Sequence, residues 1–141
     1  MNKSLSAPLL KGLIIFSGLA EFLTALFMLF GADLFIEIYE LPENFDPYYI
    51  RQIGMFQFLA GLFILKGGFQ FPKQIGLIQF TLGFHFISLI FEATYVIFIR
   101  TEHDLLYYSM ISFILFHIPM IIAITKLMRI NNIPFWTTGE L

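Results

Sequence analysis

The stretch TLGFHFISLIFEATYV, residues 81–96, decides the fold. It is apolar and aromatic over a length that suits a membrane helix, yet it carries His85, Ser88 and Glu92. Thr81, His85, Ser88, Glu92 and Tyr95 are spaced 4, 3, 4 and 3, which at about 100° per residue puts them on one stripe of an α-helix. Phe, Ile and Leu occupy the other faces. Such a helix turns its stripe to protein and the rest to lipid, because an ionised side chain at mid-bilayer costs at least about 2.5–3.5 kcal/mol on insertion scales.

Composition says the same of the whole chain. Of its 141 residues, 58 % are hydrophobic and 13 % charged, against about 45–50 % and about 25 % in soluble domains. A single soluble domain of this length lacks the interior to hide so much apolar surface, so the bilayer is the expected solvent. The net charge of −2 gives nucleic acid no purchase. Cysteine is absent, which excludes disulfides, thiol catalysis and thiolate metal sites.

Four apolar segments, about 8–30, 51–69, 73–99 and 104–127, each approach or exceed the ~20 residues that cross a bilayer. Turn chemistry separates them: Pro42 and Pro47, then Gly67, Gly68 and Pro72, then Arg100 to Asp104. Short second and third connections force antiparallel neighbours. The predicted fold is therefore an all-α, integral membrane, antiparallel four-helix bundle occupying residues 1–141 as one domain. In the longer first connection, Leu34, Phe35, Ile38 and Leu41 form one apolar stripe, which predicts a short helix on the membrane surface.

Lys3, Lys11, Lys66, Lys73, Lys126 and Arg129 fall on one side of this arrangement, and Arg51 and Arg100 on the other. The excess of basic residues predicts a cell-membrane protein with both termini cytoplasmic. The outer side collects acidic residues and tyrosines, and Trp136 is expected to anchor the tail at the inner surface. The N-terminal MNKSLSAPLLKGLIIFSGLA has features of a cleavable signal, but its apolar run continues to Phe30 and reads as the first span.

Gly54, Gly61 and Gly68 recur every seven residues in the second span, and Gly76 and Gly83 do so in the third. Lys11, Gly18, Ala25 and Ala32 share the spacing in the first. Small residues on a seven-residue seam let membrane helices approach closely. The expectation is tight antiparallel pairing of spans two and three. IGMFQFLAGLFILKGGF, with Gly54, Gln57, Gly61, Gly67 or Gly68 and the following Lys73, resembles the second span of DoxX-like small bacterial membrane proteins. Length, four spans and a long outer first connection fit as well. The resemblance implies a four-helix bundle, and it links some members to quinone-dependent sulfur oxidation. Gln57 stands where those proteins often have Glu, and Lys11 where they often have Arg.

Glu21, Gln57, His85 and His117 each fall near the middle of their spans, with Glu92 roughly 10 Å nearer the outer surface. They predict a polar cluster inside the bundle. No lysine or arginine stands at the level of Glu21, so Glu21 is expected to be protonated or bonded to a histidine. Glu92 is expected to pair with Arg51 or Arg100 reaching inward. Ser109, Ser112, Pro119 and Ala123 predict a small-residue face on the fourth span, and Pro119 a kink beside His117.

No Glu-x-x-His pair, phosphate loop or nucleophile–base spacing is present, and His85 and Glu92 are too far apart to chelate one ion. Neither a metal nor a cofactor is expected. The function expected is a non-enzymatic or accessory membrane protein whose midplane cluster binds a lipid or quinone. Its partners are the bilayer and a second copy or another membrane subunit. One alternative is a redox subunit using haem or quinone chemistry at His85 and His117, and another is a purely structural subunit.

Overall fold

The computed structural model describes residues 3–41, 45–98 and 104–135. These form five helices: α1 (Lys3–Phe30), α2 (Ala32–Ile38), α3 (Pro47–Phe69), α4 (Ile75–Phe98) and α5 (Asp104–Ile130). Four of them are long and apolar enough to cross a membrane, and they form the expected four-helix bundle. Only 28–33 % of each candidate span is buried inside the protein. Phe16, Leu23, Phe56, Ile87, Phe91 and Leu115 are among the large apolar side chains left on the outside. An apolar surface running around a bundle is what lipid solvates.

Local chemistry sets the helix ends. Gly31 separates α1 from α2, and the Phe35 N–H donates to its carbonyl at 2.7 Å. Asp46 caps α3 by accepting from the Tyr48 N–H at 2.9 Å, and Pro47 takes the first helical position, where no N–H is needed. At the end of α5, Asn132 adopts φ 55°, the Ile133 N–H reaches the Met128 carbonyl, and the Asn132 N–H reaches the Arg129 carbonyl. This is a Schellman stop with asparagine in the glycine position. Ile133 then packs beside Met128 in the core.

The helices form a ring in which α1 touches α3 and α5, and α4 touches α3 and α5. The glycine seam does not pair spans two and three as expected. A Cβ on Gly54 meets Met28 at 2.8 Å, one on Gly61 meets the Phe22 backbone nitrogen at 2.9 Å, and one on Gly68 meets Ile15 at 2.6 Å. The seam of α3 is therefore pressed on α1, with residue numbers running in opposite directions. Gly18 completes it from the other side, against Leu65. A Cβ on Gly76 or Gly83 meets nothing within 4 Å, so these two glycines form no seam. The reason lies in α1, whose own small residues at 18 and 25 match those of α3, whereas the α4 face toward α3 carries larger side chains. Gly67 alone of the α3 glycines abuts α4, at Leu77.

Two apolar clusters lie toward opposite ends of the bundle. One, near the α3–α4 turn, includes Leu10, Ile14, Ile64, Ile78, Leu82, Ile124 and Met128. The other joins Ala32, Phe35 and Ile50 beneath α2. In α2 it is Phe35 that turns inward, while Leu34 and Ile38 stay exposed. The level between the clusters is polar. The fourth span's small-residue face does not serve as its packing face, since Ser112 and Pro119 are exposed and His117 is buried instead. α5 remains helical through Pro119. Arg100 and Trp136 lie outside the described residues.

Candidate functional site

The stripe that opened the sequence faces inward as expected. Thr81 and His85 are 0 % exposed and Glu92 is 8 % exposed. The Thr81 hydroxyl donates to the Leu77 carbonyl of its own helix, as Thr24 does to Ala20 and Ser112 to Tyr108. A hydroxyl satisfied in this way asks nothing of the neighbouring helix. Ser17 differs, for its Oγ lies 2.7 Å from His85 Nε2 on α4.

From His85 the contacts continue across the bundle. His85 Nδ1 lies 2.6 Å from His117 Nδ1 on α5, and His117 Nε2 lies 3.0 Å from Glu92 Oε1, back on α4. Every nitrogen of both rings is engaged. With one proton per imidazole, only two proton orders satisfy the chain. In the first, the Ser17 O–H donates to His85 Nε2, His85 Nδ1–H to His117 Nδ1, and His117 Nε2–H to a Glu92 carboxylate. In the second, every bond reverses and a Glu92 carboxyl donates. Phe84 and Phe116 flank His85 with ring centroids at 6.0 Å, so the chain runs through an apolar shell that strengthens each polar contact.

A second pair lies alongside. Gln57 Nε2 of α3 donates to Glu21 Oε2 of α1 at 2.7 Å. One ligating atom from each of Glu21, His85 and His117 falls within 4.8 Å of the others. All five residues singled out from the sequence, Glu21, Gln57, His85, Glu92 and His117, are thus gathered in one centre fed by all four long helices.

One expected partnership is corrected. Glu92 pairs with His117 rather than Arg51, which pairs with Asp33 at 3.1 Å on the exposed surface, while Arg100 lies outside the described residues. Asp33 sits at the start of α2, beside the point where α3 begins, so Arg51 reaches a carboxylate without entering the bundle. Of the two alternatives for Glu21, a histidine bond is not formed; its Oε2 accepts from Gln57 instead. Among the described residues, Glu92 Oε2 is buried and makes no hydrogen bond.

Ser17 is the member that sequence reasoning missed as a site residue. Its signal was its position four residues before Glu21, on the same helical face. The Ser17–His85–His117–Glu92 order has the form of a nucleophile, a base and orienting groups. It lacks two requirements of acyl transfer. Ser17 is 0 % exposed, and it lies within α1, where backbone N–H groups are committed to the helix and make no oxyanion hole. Haem ligation by the two histidines needs a macrocycle between them, and nitrogens 2.6 Å apart leave no space for one. No protein family, characterised protein or solved structure matches the chain.

Proposed function

We propose that this is a multi-pass protein of the cell membrane, with both termini cytoplasmic, whose bundle interior is a binding centre for a small ligand. It acts as a binding or accessory protein rather than as a hydrolase. The carrying observation is the convergence of Ser17, Glu21, Gln57, His85, Glu92 and His117 from four helices. Helix register alone does not call for it. The glycine seam already fixes α1 on α3, and interhelical hydrogen bonds in membranes average only ~0.6 kcal/mol. Four ionisable side chains cost more to insert than hydroxyls or amides that would fix register equally well. The long first connection and the α3 seam also support the DoxX-like resemblance.

Burial sets the size of the ligand. Ser17, Glu21, His85, Glu92 and His117 are 0–8 % exposed, with Gln57 half-buried, which admits an ion or a small polar molecule more readily than a quinone ring. A lipid has a better place on the outside. Phe86, Ile121, Ile122, Thr125, Lys126, Arg129 and Ile130 line a groove between α4 and α5. Its apolar length suits an acyl chain and its basic end an anionic headgroup.

Native mass spectrometry of detergent-released protein tests both. A bound mass lost in Glu21→Leu and His85→Ala but kept in Lys126→Gln supports the central site. Phospholipid adducts lost only in Lys126→Gln and Arg129→Gln support the groove. Wild-type protein without any bound mass, together with unchanged stability when the whole cluster is replaced by apolar residues, contradicts the binding centre.

A further inference from the structure

We propose that Glu21, His85 and His117 form an intramembrane site for one divalent first-row transition ion, held through the two Nδ1 atoms and the Glu21 carboxylate. The site rests on the reading of the bundle interior as a binding centre, and names its ligand.

Three observations carry it. The first is convergence, since ligating atoms from α1, α4 and α5 lie within 4.8 Å of one another. A tetrahedral ion with metal–ligand bonds of about 2.0–2.1 Å separates its ligands by about 3.3 Å. His85 and His117 Nδ1, now 2.6 Å apart, therefore part by less than about 1 Å to admit the ion, and Glu21 supplies the third ligand from across the same centre.

The second observation is that each ligand is held from behind. His117 Nε2 meets Glu92, His85 Nε2 meets Ser17, and Glu21 Oε2 meets Gln57. Metal-bound histidines characteristically donate their second N–H to a carboxylate or hydroxyl, which fixes ring orientation and tautomer. Here the Nε2 atoms are taken by Ser17 and Glu92, and the two Nδ1 atoms face each other across the centre. On binding from the first proton order, the His85 Nδ1 proton is replaced by one on Nε2, donated to Ser17 Oγ, whose own proton turns away; from the second order, the His117 Nδ1 proton is replaced by one on Nε2 and Glu92 releases its proton.

The third is charge. Two carboxylates, Glu21 and Glu92, lie at this centre, and among the described residues their partners are Gln57 and His117 rather than a lysine or arginine. A buried charge requires a compensating one. A divalent cation neutralises both carboxylates, including Glu92, whose Oε2 has no hydrogen bond. Two imidazoles and a carboxylate, without sulfur, suit Zn²⁺ or Fe²⁺ rather than Cu⁺ or Ca²⁺. Three protein ligands leave at least one coordination position for a small molecule.

The test uses full-length protein carrying a tag without histidines, purified in detergent without chelator and analysed for metals by mass spectrometry. Co²⁺ titration then follows the visible d–d bands. The expected result is about one transition ion per chain, lost in Glu21→Gln, which preserves side-chain volume and the Gln57 contact. Arg51→Gln, far from the site, retains the ion. Glu92→Gln should keep the stoichiometry and weaken Co²⁺ binding about 10–100-fold. Helical circular dichroism confirms that each variant is folded. Folded wild-type protein that takes up Zn²⁺, Fe²⁺ and Co²⁺ only substoichiometrically, or equally in Glu21→Gln, overturns the proposal. If it instead holds an organic molecule lost in His85→Ala, the metal site falls and the binding centre stands. If it holds neither, both fall.

Discussion

The Nδ1 atoms of His85 and His117 face each other at 2.6 Å across the α4–α5 contact. Two ring nitrogens hold that distance without an ion only if one carries a hydrogen and the other a lone pair. The pair therefore couples α4 to α5 through a polar contact. It also orients His117 so that its Nε2 reaches Glu92.

Breaking this chain in the middle should be costly. His117→Ala leaves His85 Nδ1 and both Glu92 oxygens buried without partners, a loss of about 3–5 kcal/mol. His117→Ala combined with Glu92→Leu should cost less than the sum of the two, with a coupling of about 0.5–3 kcal/mol. Reversible unfolding in mixed micelles measures the cycle, and additive losses would mean that the two residues do not act as a pair.

The glycines divide sharply. Gly61→Ala drives a methyl to 2.9 Å from the Phe22 backbone nitrogen. Backbone cannot rotate away as a side chain can, so a loss of about 1–3 kcal/mol is expected. Gly83→Ala meets nothing within 4 Å and should be neutral or stabilising by up to about 1 kcal/mol, through helix propensity. Thermal melting of the two variants in one detergent checks the contrast. Equal losses would contradict the α1–α3 seam.

The acid–base partners differ in depth. Arg51→Gln removes an exposed pair with Asp33 and should cost under about 1 kcal/mol. Glu92→Gln keeps an oxygen to accept from His117, so it should cost less than Glu92→Leu, which removes the acceptor from a buried ring. The same melting assay orders the three. A large loss in Arg51→Gln would restore an inward-reaching arginine.

The sequence made the bundle legible because hydropathy and turn residues leave little choice in lipid: spans must be helical, and short turns make them antiparallel. It showed the inward stripe of α4 because His85 and Glu92 are seven apart, nearly two turns. It did not show which helices share the glycine seam. That depends on which faces match in three dimensions, and Gly18 and Ala25 of α1 compete with Gly76 and Gly83 of α4 for the same partner. Nor did it join Glu92 to His117. Depth along the helix suggested an interfacial arginine, whereas Asp33 at the start of α2 took Arg51 first. The three-ligand set was hidden for a related reason: its members come from α1, α4 and α5, so no spacing within one helix announces it.

Orientation in the membrane has a direct check. Glu37 of α2 and Gln74 of the α3–α4 turn are both exposed, and replacing either with cysteine introduces the only thiol in the chain. An impermeant maleimide applied to intact cells should label Glu37→Cys and spare Gln74→Cys. The reverse pattern would invert the topology drawn from the basic residues.

The central claim is that α1, α4 and α5 bring Ser17, His85, His117 and Glu92 into one continuous chain. Nuclear magnetic resonance of protein labelled with ¹⁵N only in histidine, stripped of ions by chelation, tests it most directly. The account predicts scalar coupling between the two Nδ1 nuclei across their shared hydrogen, with both signals shielded from solvent exchange and the coupling abolished in Glu92→Leu/His117→Ala. Two uncoupled imidazoles that exchange freely with water, in protein shown to be folded, would contradict it.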